Sequence, residues 1–273
     1  MSAHSPGIDR ALARRRFERA ARTYGEAARL EGEVAARMLE RLDYMKIAPR
    51  RILDAASGPP RRELGQRYAG AQVVAVDFST GMLRAGERSW FGKNPLRLCA
   101  DLGQLPLADG SIDFVWCNMA LHWLPDAQRA FAEFARVLSP DGLLMFSALG
   151  PDTLKELRAV AGAGRVHAFV DMHDLGDMLV ASGFSAPVMD MEMIQIDYAG
   201  AGGLVEDLKN TGQINARADR PRGLAGKGFG ERLRALPPRA TFEVVYGHAW
   251  RAGKASRDAN QDPKTVRIFK RMP

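Results

Sequence analysis

The chain has only two cysteines and no long apolar run, and these two features argue against a disulfide-rich protein and against a membrane-spanning one. Cys99 and Cys117 are the only thiols among 273 residues, and their spacing matches neither a zinc motif nor a disulfide framework. We therefore expect a reducing, cytoplasmic environment. No segment approaches the roughly 18–20 consecutive apolar residues of a membrane-spanning helix, so we expect no membrane span. The hydrophobic share of 46% and the charged share of 26% are those of an ordinary globular chain.

The net charge of +7 is unevenly distributed along the chain. Residues 1–24 and 251–273 are strongly basic, whereas the body between them is slightly acidic. A near-neutral body with basic ends is not typical of a surface that follows a nucleic-acid backbone, so we expect no nucleic-acid partner. An acidic protein that contacts the basic ends fits the same charge distribution.

The hydrophobic pattern divides the chain into four parts. Within residues 1–48, apolar side chains recur at three- and four-residue intervals from about 10 to 43, which predicts a helical N-terminal part of one helix or of two broken near Tyr24. Over 49–150, short apolar runs alternate with helical segments, which predicts a doubly wound α/β sheet with helices on both faces. Residues 151–250 are expected to complete the core and to carry substrate-side insertions with further strands, and 251–273 form a basic tail. The predicted strands of the second part span 51–55, 72–76, 96–100, 112–117 and 143–147.

One predicted strand of the third part, over residues 188–198, is rich in methionine. It contains Met189, Met191 and Met193. Methionine fills irregular gaps in protein cores and also lines adaptable binding surfaces. The strand therefore has two interpretations, core packing or a wall for an acyl chain.

Polar residues stand where four of the predicted strands end. Asp54, Asp77, Asp101 and Asn118 follow or close the first four apolar runs. Ligands of open α/β sheets bind at the carboxyl ends of the strands, and an acidic residue after the second strand is placed to hold ribose hydroxyls. A single aspartate at such a position serves equally well as a helix cap. Four polar residues at successive strand ends favour a nucleoside-type ligand.

Further motifs accompany these residues along the chain. Short ones are LPL at 105–107, FVWCN at 114–118, LHWL at 121–124 and RVL at 136–138, and longer ones are FSALGPDTLKELR at 146–158, FVDMHDLGDMLVASG at 169–183 and VYGHAW at 245–250. The short motifs resemble those of class I S-adenosylmethionine-dependent methyltransferases. The longer ones resemble the malonyl-acyl-carrier-protein O-methyltransferases of biotin synthesis, and the arginine-hydroxylating assembly factors of respiratory complex I share part of the same pattern.

The resemblance implies a Rossmann-like methyltransferase sheet with a lid, a strand-containing C-terminal extension and a site for S-adenosylmethionine. Asp77 would take the ribose hydroxyls, and Asp101 with Leu102 would lie at the adenine. Asn118 would lie near the reacting centre. The full set that the resemblance implies for the cofactor is Asp54, Ala56, Gly58, Asp77, Asp101, Leu102 and Asn118.

The resemblance also implies residues for the substrate. Tyr24 would close the site from the lid, and His122 would help to position the reacting groups together with Asn118. Arg158 is a candidate partner for a substrate carboxylate, because a guanidinium binds a carboxylate through two hydrogen bonds. The alternative for Arg158 is a solvated helix residue. A carboxylate acceptor is already ionised at neutral pH, so we expect positioning rather than a catalytic triad to supply the rate enhancement.

The glycine loop departs from the family pattern D-x-G-x-G-x-G. Residues 54–60 read DAASGPP, so only the middle glycine, Gly58, is kept. Pro59 and Pro60 have no N–H, and losing an amide that the cofactor needs would cost about 1.5–3 kcal/mol. The milder alternative is that Pro60 begins the next helix, where a missing N–H has no partner anyway, and that Ala56 has a negative φ.

Two classes of function follow. The first is an enzyme that uses S-adenosylmethionine to methylate the free carboxylate of a malonyl group on an acyl carrier protein, whose acidity suits the basic ends and the basic loop at 211–228. The second is a non-catalytic assembly or interaction protein, or a relative of the arginine-hydroxylating assembly factors. We expect no metal, because the nearby His167 and His173 lack the i, i+4 spacing of a helical zinc site.

Overall fold

A computed structural model describes residues 7–86, 93–223, 226 and 228–253. The expected basic tail therefore lies outside the described residues from 254 onwards, as do residues 1–6. The strands are β1 (Arg51–Ala55), β2 (Gln72–Asp77), β3 (Leu96–Cys99), β4 (Ile112–Cys117), β5 (Leu138–Leu149), β6 (Phe184–Asp197) and β7 (Arg239–Arg251). The helices are α1 (Arg10–Ala20), α2 (Tyr24–Ala27), α3 (Arg29–Arg41), α4 (Glu63–Arg67), α5 (Thr80–Ala85), α6 (Ala127–Val137), α7 (Lys155–Ala161), α8 (Met172–Ala181), α9 (Ala201–Asn210) and α10 (Gly228–Arg234).

The seven strands form one sheet in the order β3-β2-β1-β4-β5-β7-β6. The pairs among β1 to β5 are parallel, and β7 is antiparallel to both β5 and β6. Helices cover both faces, so the predicted doubly wound α/β fold is confirmed. The strand order reverses between β1 and β4, and the crevice at such a reversal is where open α/β sheets bind ligands.

Neighbouring residues of each central strand point to opposite faces of the sheet, and each face has its own core. Leu53 of β1 is paired with Val115 of β4, and both pack against α6 and α8. Ile52 and Phe114, one residue earlier on each strand, pack on the other face against α3, α4, α7 and α9. The period of two therefore places a complete apolar layer on each side, which is why these strands read as continuous apolar runs.

The N-terminal lid consists of three helices, with breaks on both sides of the short helix α2 that begins at Tyr24. Asp9 caps α1 by accepting a hydrogen bond from the Leu12 amide at 3.0 Å. The lid packs on α5 through Phe17, and the Glu18 carboxylate accepts the Gly81 amide at 2.8 Å. These contacts pack the lid against the sheet layer. The division of the chain into four separate parts stays a prediction.

Three local predictions are wrong. The helix after the glycine loop begins at Glu63, so Pro60 does not start it. Strand β5 begins at Leu138, earlier than its apolar run indicated. The methionine-rich strand β6 lies at the edge of the sheet, where Met191 and Met193 are 42% and 44% exposed, so core packing does not hold for these two side chains. Within the described part of the chain, every helix is too short or too polar to cross a bilayer.

Candidate active site

The main pocket opens at the carboxyl ends of the central strands, beneath the lid. Three strand-end residues, two loop residues and the lid contribute to its wall. Its lining includes Arg10, Phe17, Tyr24, Ala56, Gly58, Asp77, Phe78, Met82, Asp101, Leu102, Asn118, Trp123 and Gln213. The structure therefore brings together most of the site that the sequence predicted.

Asp77 is the buried acid at the end of β2. Its Oδ2 accepts the Gly58 amide at 3.0 Å, and its Oδ1 accepts the Ser79 amide at 2.8 Å. A carboxylate has about four lone-pair positions, so two remain for a ligand. The position and the free acceptors suit a pair of vicinal hydroxyl groups.

The loop after β1 has a left-handed backbone at two positions. Ala56 has φ 55° and Gly58 has φ 60°. The expectation of a negative φ at Ala56 is therefore wrong, and this alanine has a conformation that costs a residue with a Cβ about 1–2 kcal/mol. The Ser57 amide donates to the Val76 carbonyl at 3.0 Å, which ties the loop to β2. The loop keeps the shape that glycines would give it, although its sequence has lost them.

A second pocket, called here the Asp54 pocket, adjoins the main pocket and is lined by Asp54. The two pockets share Tyr24, Ala56 and Asn118. Burial, with the negative charges of Asp77 and Glu63 adding to it, raises the pKa of Asp54 to about 7.

The environment of two other acids beneath the lid also disfavours their ionised forms. Burial raises the pKa of Asp77 to about 6, although the amides of Ser79 and Gly58 act in the opposite direction. Burial likewise raises the pKa of Glu31 on α3. A concentration of buried carboxylates with little positive charge nearby favours a cationic ligand.

Arg61 is a pocket residue that the sequence analysis did not single out. It lines the Asp54 pocket, and its charge lowers the pKa of Asp54 against the effect of burial. The residue stands directly after Pro59 and Pro60, so a signal was present. A cation immediately after two positions without an N–H is placed to bind the anionic group that backbone amides would otherwise hold.

Asn118 connects the lid to the sheet. Its Nδ2 donates to the Glu31 carbonyl at 3.0 Å, and its Oδ1 accepts from the Ser147 hydroxyl at 2.8 Å. The same hydroxyl accepts the Met119 amide at 2.9 Å. Asn118 lines both pockets, and its hydrogen bonds place α3 against the ends of β4 and β5.

Tyr24 lies over the loop where the two pockets meet. A Cβ built on Gly58 would be 3.5 Å from Cε1 of the Tyr24 ring. Burial, with Glu31 and Asp77 adding negative charge, raises the pKa of this phenol, so it stays protonated and keeps its O–H donor. At the far end of the main pocket, Arg10 of the lid forms an ion pair with Asp101.

Arg158 and His122 lie outside the main pocket. The Arg158 guanidinium donates to the Pro151 carbonyl at 2.7 Å and to the Thr153 carbonyl at 3.0 Å. It holds the turn before α7 and lines neither pocket, so these contacts give no support to its expected role with a substrate carboxylate. His122 lines a second cavity, which shares Trp123 and Gln213 with the main pocket.

His167 and His173, the histidines considered for a metal site, have different surroundings. His173 is exposed and its Nδ1 lies 2.8 Å from Asp171, whereas His167 is buried. Among the residues that the structure describes, no group of three or more His, Cys, Asp or Glu side chains is arranged to hold a metal ion.

Comparison with known proteins identifies the class and then the family. A family model described as "Methyltransferase domain" matches residues 53–146. The solved YcgJ protein of Bacillus subtilis has the same fold, with a TM-score of 0.57 at 18% identity, and the match covers 79% of this chain and 97% of that one. A putative methyltransferase of Bacillus halodurans gives a TM-score of 0.54 at 16% identity, covering 80% and 98%. Fold and site together define a class I S-adenosylmethionine-dependent methyltransferase.

Whole-chain relatives give the family. The chain is 47% identical to a malonyl-[acyl-carrier protein] O-methyltransferase of a Methylovorus species, over 92% of each chain. It is 46% identical to the enzyme of that name from Laribacter hongkongensis, over 96% of each chain. The chain belongs to the malonyl-[acyl-carrier protein] O-methyltransferase family, as its motifs predicted.

The pockets fit S-adenosylmethionine, which carries a sulfonium and an ammonium group. Burial raises the pKa values of Asp54 and Asp77, and a cationic ligand bound beside these carboxylates would favour their ionised forms. Asp77 would hold the ribose hydroxyls, and Leu102 would contact the adenine. Arg61 and Asp54, in the Asp54 pocket, would hold the carboxylate and the ammonium group of the methionine end.

Proposed function

We propose that the protein methylates the free carboxylate of a malonyl group on acyl carrier protein, a reaction of biotin synthesis. Its relatives at 47% and 46% identity carry that name. The observation that carries the proposal is the junction of the buried anionic pocket with a largely apolar cavity, because a cationic methyl donor and an acyl acceptor need adjoining sites of these two kinds.

The chemistry asks little of acids and bases. Bound S-adenosylmethionine would supply a methyl group on a sulfonium, and an oxygen of the acceptor carboxylate would form the new O–CH₃ bond as the electron pair of the S–CH₃ bond stays on sulfur. No proton moves. The side chains therefore have to align that oxygen and to exclude water.

The lid and the shared wall perform that positioning. Trp123 and Gln213 line both the main pocket and the second cavity. Phe17 of α1 packs edge-on against the Trp123 ring, with ring centroids 5.0 Å apart. Thr23, at the end of the lid turn, donates to the Asn210 carbonyl at 2.7 Å, so the segment that carries Gln213 is tied to the lid.

An acidic carrier suits the surface beside the second cavity. Phe229 and Leu233 of α10 line the cavity, and Arg232 and Arg234 of the same helix are exposed. Lys209, at the end of α9, is exposed and lines the cavity as well. Acyl carrier protein as partner and a cytoplasmic location remain proposals, the latter from cysteine usage.

The test is methyl transfer from isotopically labelled S-adenosylmethionine to malonyl-acyl carrier protein, read by mass spectrometry of the intact carrier. We expect a gain of one methyl ester on malonyl carrier and none on acetyl carrier, which has no free carboxylate. Binding of the cofactor without transfer to malonyl carrier would contradict the proposed substrate. Absence of cofactor binding would instead favour a non-catalytic protein.

A further inference from the structure

The second cavity has a largely apolar wall that includes a few polar side chains. Leu154, Leu157, Leu208 and Phe242 are among its apolar residues, and Arg165 and Lys209 are its cations. His122 and His167 also line it. A cavity of this composition suits an acyl group that has a few oxygen atoms along its length.

Both imidazoles are buried and lack partners. His122 and His167 are each 6% exposed, and neither ring nitrogen of either residue has a hydrogen-bond partner among the described residues. Leaving buried polar atoms unpaired is costly, so a water molecule or a bound ligand usually completes them. Two histidines in this state in one cavity are an observation that itself points to a ligand.

The two histidines lie next to the wall that the cavity shares with the main pocket. The ring centroids of His167 and Trp123 are 4.3 Å apart, and those of His122 and Trp123 are 5.7 Å apart. Trp123 faces the main pocket as well. A group held by the histidines therefore lies close to the site of methyl transfer.

We propose that His122 and His167 bind the malonyl thioester, donating N–H hydrogen bonds to its oxygen atoms while the rest of the acyl carrier's thioester arm occupies the second cavity. This rests on the proposed function for the identity of the acyl group. His122 and His167 are thereby substrate-binding residues, and Arg165 and Lys209 lie in the same cavity for the anionic part of the arm.

Neutral donors suit this substrate better than a guanidinium does. Burial lowers the pKa of His122 to about 3, and burial together with Arg217 and Arg16 lowers the pKa of His167 to about 4, so both rings are neutral at pH 7. A neutral N–H orients a carboxylate without withdrawing as much charge from the attacking oxygen as an ion pair would. It also gives selectivity, because an acyl group without the second oxygen pair leaves the buried donors unsatisfied.

The experiment compares His167→Phe and His122→Phe with wild type. Malonyl-CoA is titrated by calorimetry into protein saturated with S-adenosylhomocysteine, and KM and kcat are measured with malonyl-acyl carrier protein. We expect malonyl-CoA binding to weaken at least tenfold and KM to rise to match. The Kd of S-adenosylhomocysteine should stay within twofold, and the melting temperature should not fall, because an unpaired polar ring is replaced by an apolar one.

Two further variants separate binding from packing. His167→Gln keeps an N–H donor and should recover part of the malonyl-CoA affinity. His248→Phe is the matched control, because His248 is half-buried on β7 and lines neither cavity. It should leave malonyl-CoA binding, KM and kcat unchanged.

The outcomes distinguish this inference from the proposed function. Methyl transfer that persists with unchanged KM in both phenylalanine variants overturns the inference and leaves the function standing. Malonyl-CoA binding that depends on the histidines, without any transfer to the carrier, supports the cavity assignment and contradicts the function. A wild-type protein that does not bind malonyl-CoA overturns the inference.

Discussion

The amide of Gly58 donates a hydrogen bond to the carboxylate of Asp77 at 3.0 Å. This bond joins the loop after β1 to the end of β2, and it explains why the loop keeps its turn although most of its glycines are gone. Hydrogen bonds to β2, and not the backbone freedom of glycine residues, give the loop its conformation. Ala56 is forced into a left-handed backbone as a result.

The first prediction concerns Ala56→Gly. Removing the Cβ relieves about 1–2 kcal/mol of left-handed strain, and the flexibility of glycine in the unfolded chain costs about 0.5–1 kcal/mol. We expect a melting temperature roughly 1–3 °C higher than that of wild type. The neighbouring Ala55→Gly, in a buried strand, should lower it instead. Equal losses in both variants would show that Ala56 is not strained.

The second prediction is a pH dependence that arises from Asp54. Its pKa of about 7 in the folded protein lies above the ordinary 3.8, so the folded state binds this proton more tightly than the unfolded state does. Its contribution therefore favours folding at low pH and is lost as the pH rises from about 4 through 7.

Asp54→Asn should thus gain stability over the wild type as the pH rises. Without ligand, the melting temperature of the variant relative to wild type should increase between pH 5 and pH 7.5. Because a cationic cofactor stabilises the ionised carboxylate, saturating S-adenosylmethionine should reduce or reverse that gain. A difference that is constant with pH would contradict the raised pKa.

The third prediction concerns Arg61→Gln. Pro59 and Pro60 offer no N–H, so Arg61 is expected to bind the carboxylate of the cofactor. Losing a charge-assisted hydrogen bond costs about 1.5–3 kcal/mol, so the Kd of S-adenosylmethionine should rise about tenfold or more. The Kd of decarboxylated S-adenosylmethionine should rise much less, because that analogue has no carboxylate for Arg61 to bind.

Its matched control is Arg62→Gln. Arg62 is the adjacent arginine but lies in a separate surface pocket with Gly65 and Lys93. Calorimetry should show no change in the Kd for this variant. A similar loss of affinity in both variants would indicate a general effect of surface charge.

The fourth prediction concerns Arg158→Ala. The side chain holds the carbonyls of Pro151 and Thr153, so its loss should destabilise the protein by about 1–3 kcal/mol. The melting temperature should fall by roughly 3–10 °C. KM for malonyl carrier, measured well below the melting temperature, should stay within twofold. A large rise in KM at unchanged stability would restore the role in substrate binding.

The fifth prediction tests the docking of the carrier. The double variant Arg232→Glu and Arg234→Glu should raise KM for malonyl-acyl carrier protein about tenfold, because charge reversal opposes an acidic partner. KM for malonyl-CoA should change far less. The control is Arg50→Glu, because Arg50 is exposed and lies just before β1, at the amino ends of the parallel strands. Equal effects with both substrates would place the loss in the cavity rather than on the docking surface.

Much of the fold could be predicted because local patterns determined it. Strands β1 and β4 have the predicted bounds, since both are short apolar runs that end at polar residues. The start of β5 could not be predicted, because Leu138 pairs with Ile112 of β4 and a register shift then spans Pro140 and Gly142. Edge strand β6 begins before its apolar pattern, because Phe184 and Ser185 pair with the end of β7 ahead of a second register shift.

The sequence by itself determined the class of sheet, the acids at the strand ends and the family, because these depend on spacing along the chain. Only the tertiary structure decided the φ of Ala56, the carbonyl partners of Arg158 and the cavity that His122 faces. Each of these depends on which distant segments meet: β2 beneath the loop, the turn before α7, and the helices around the second cavity. The contacts of a side chain depend on which distant segments pack together, and the residue type alone does not specify that packing.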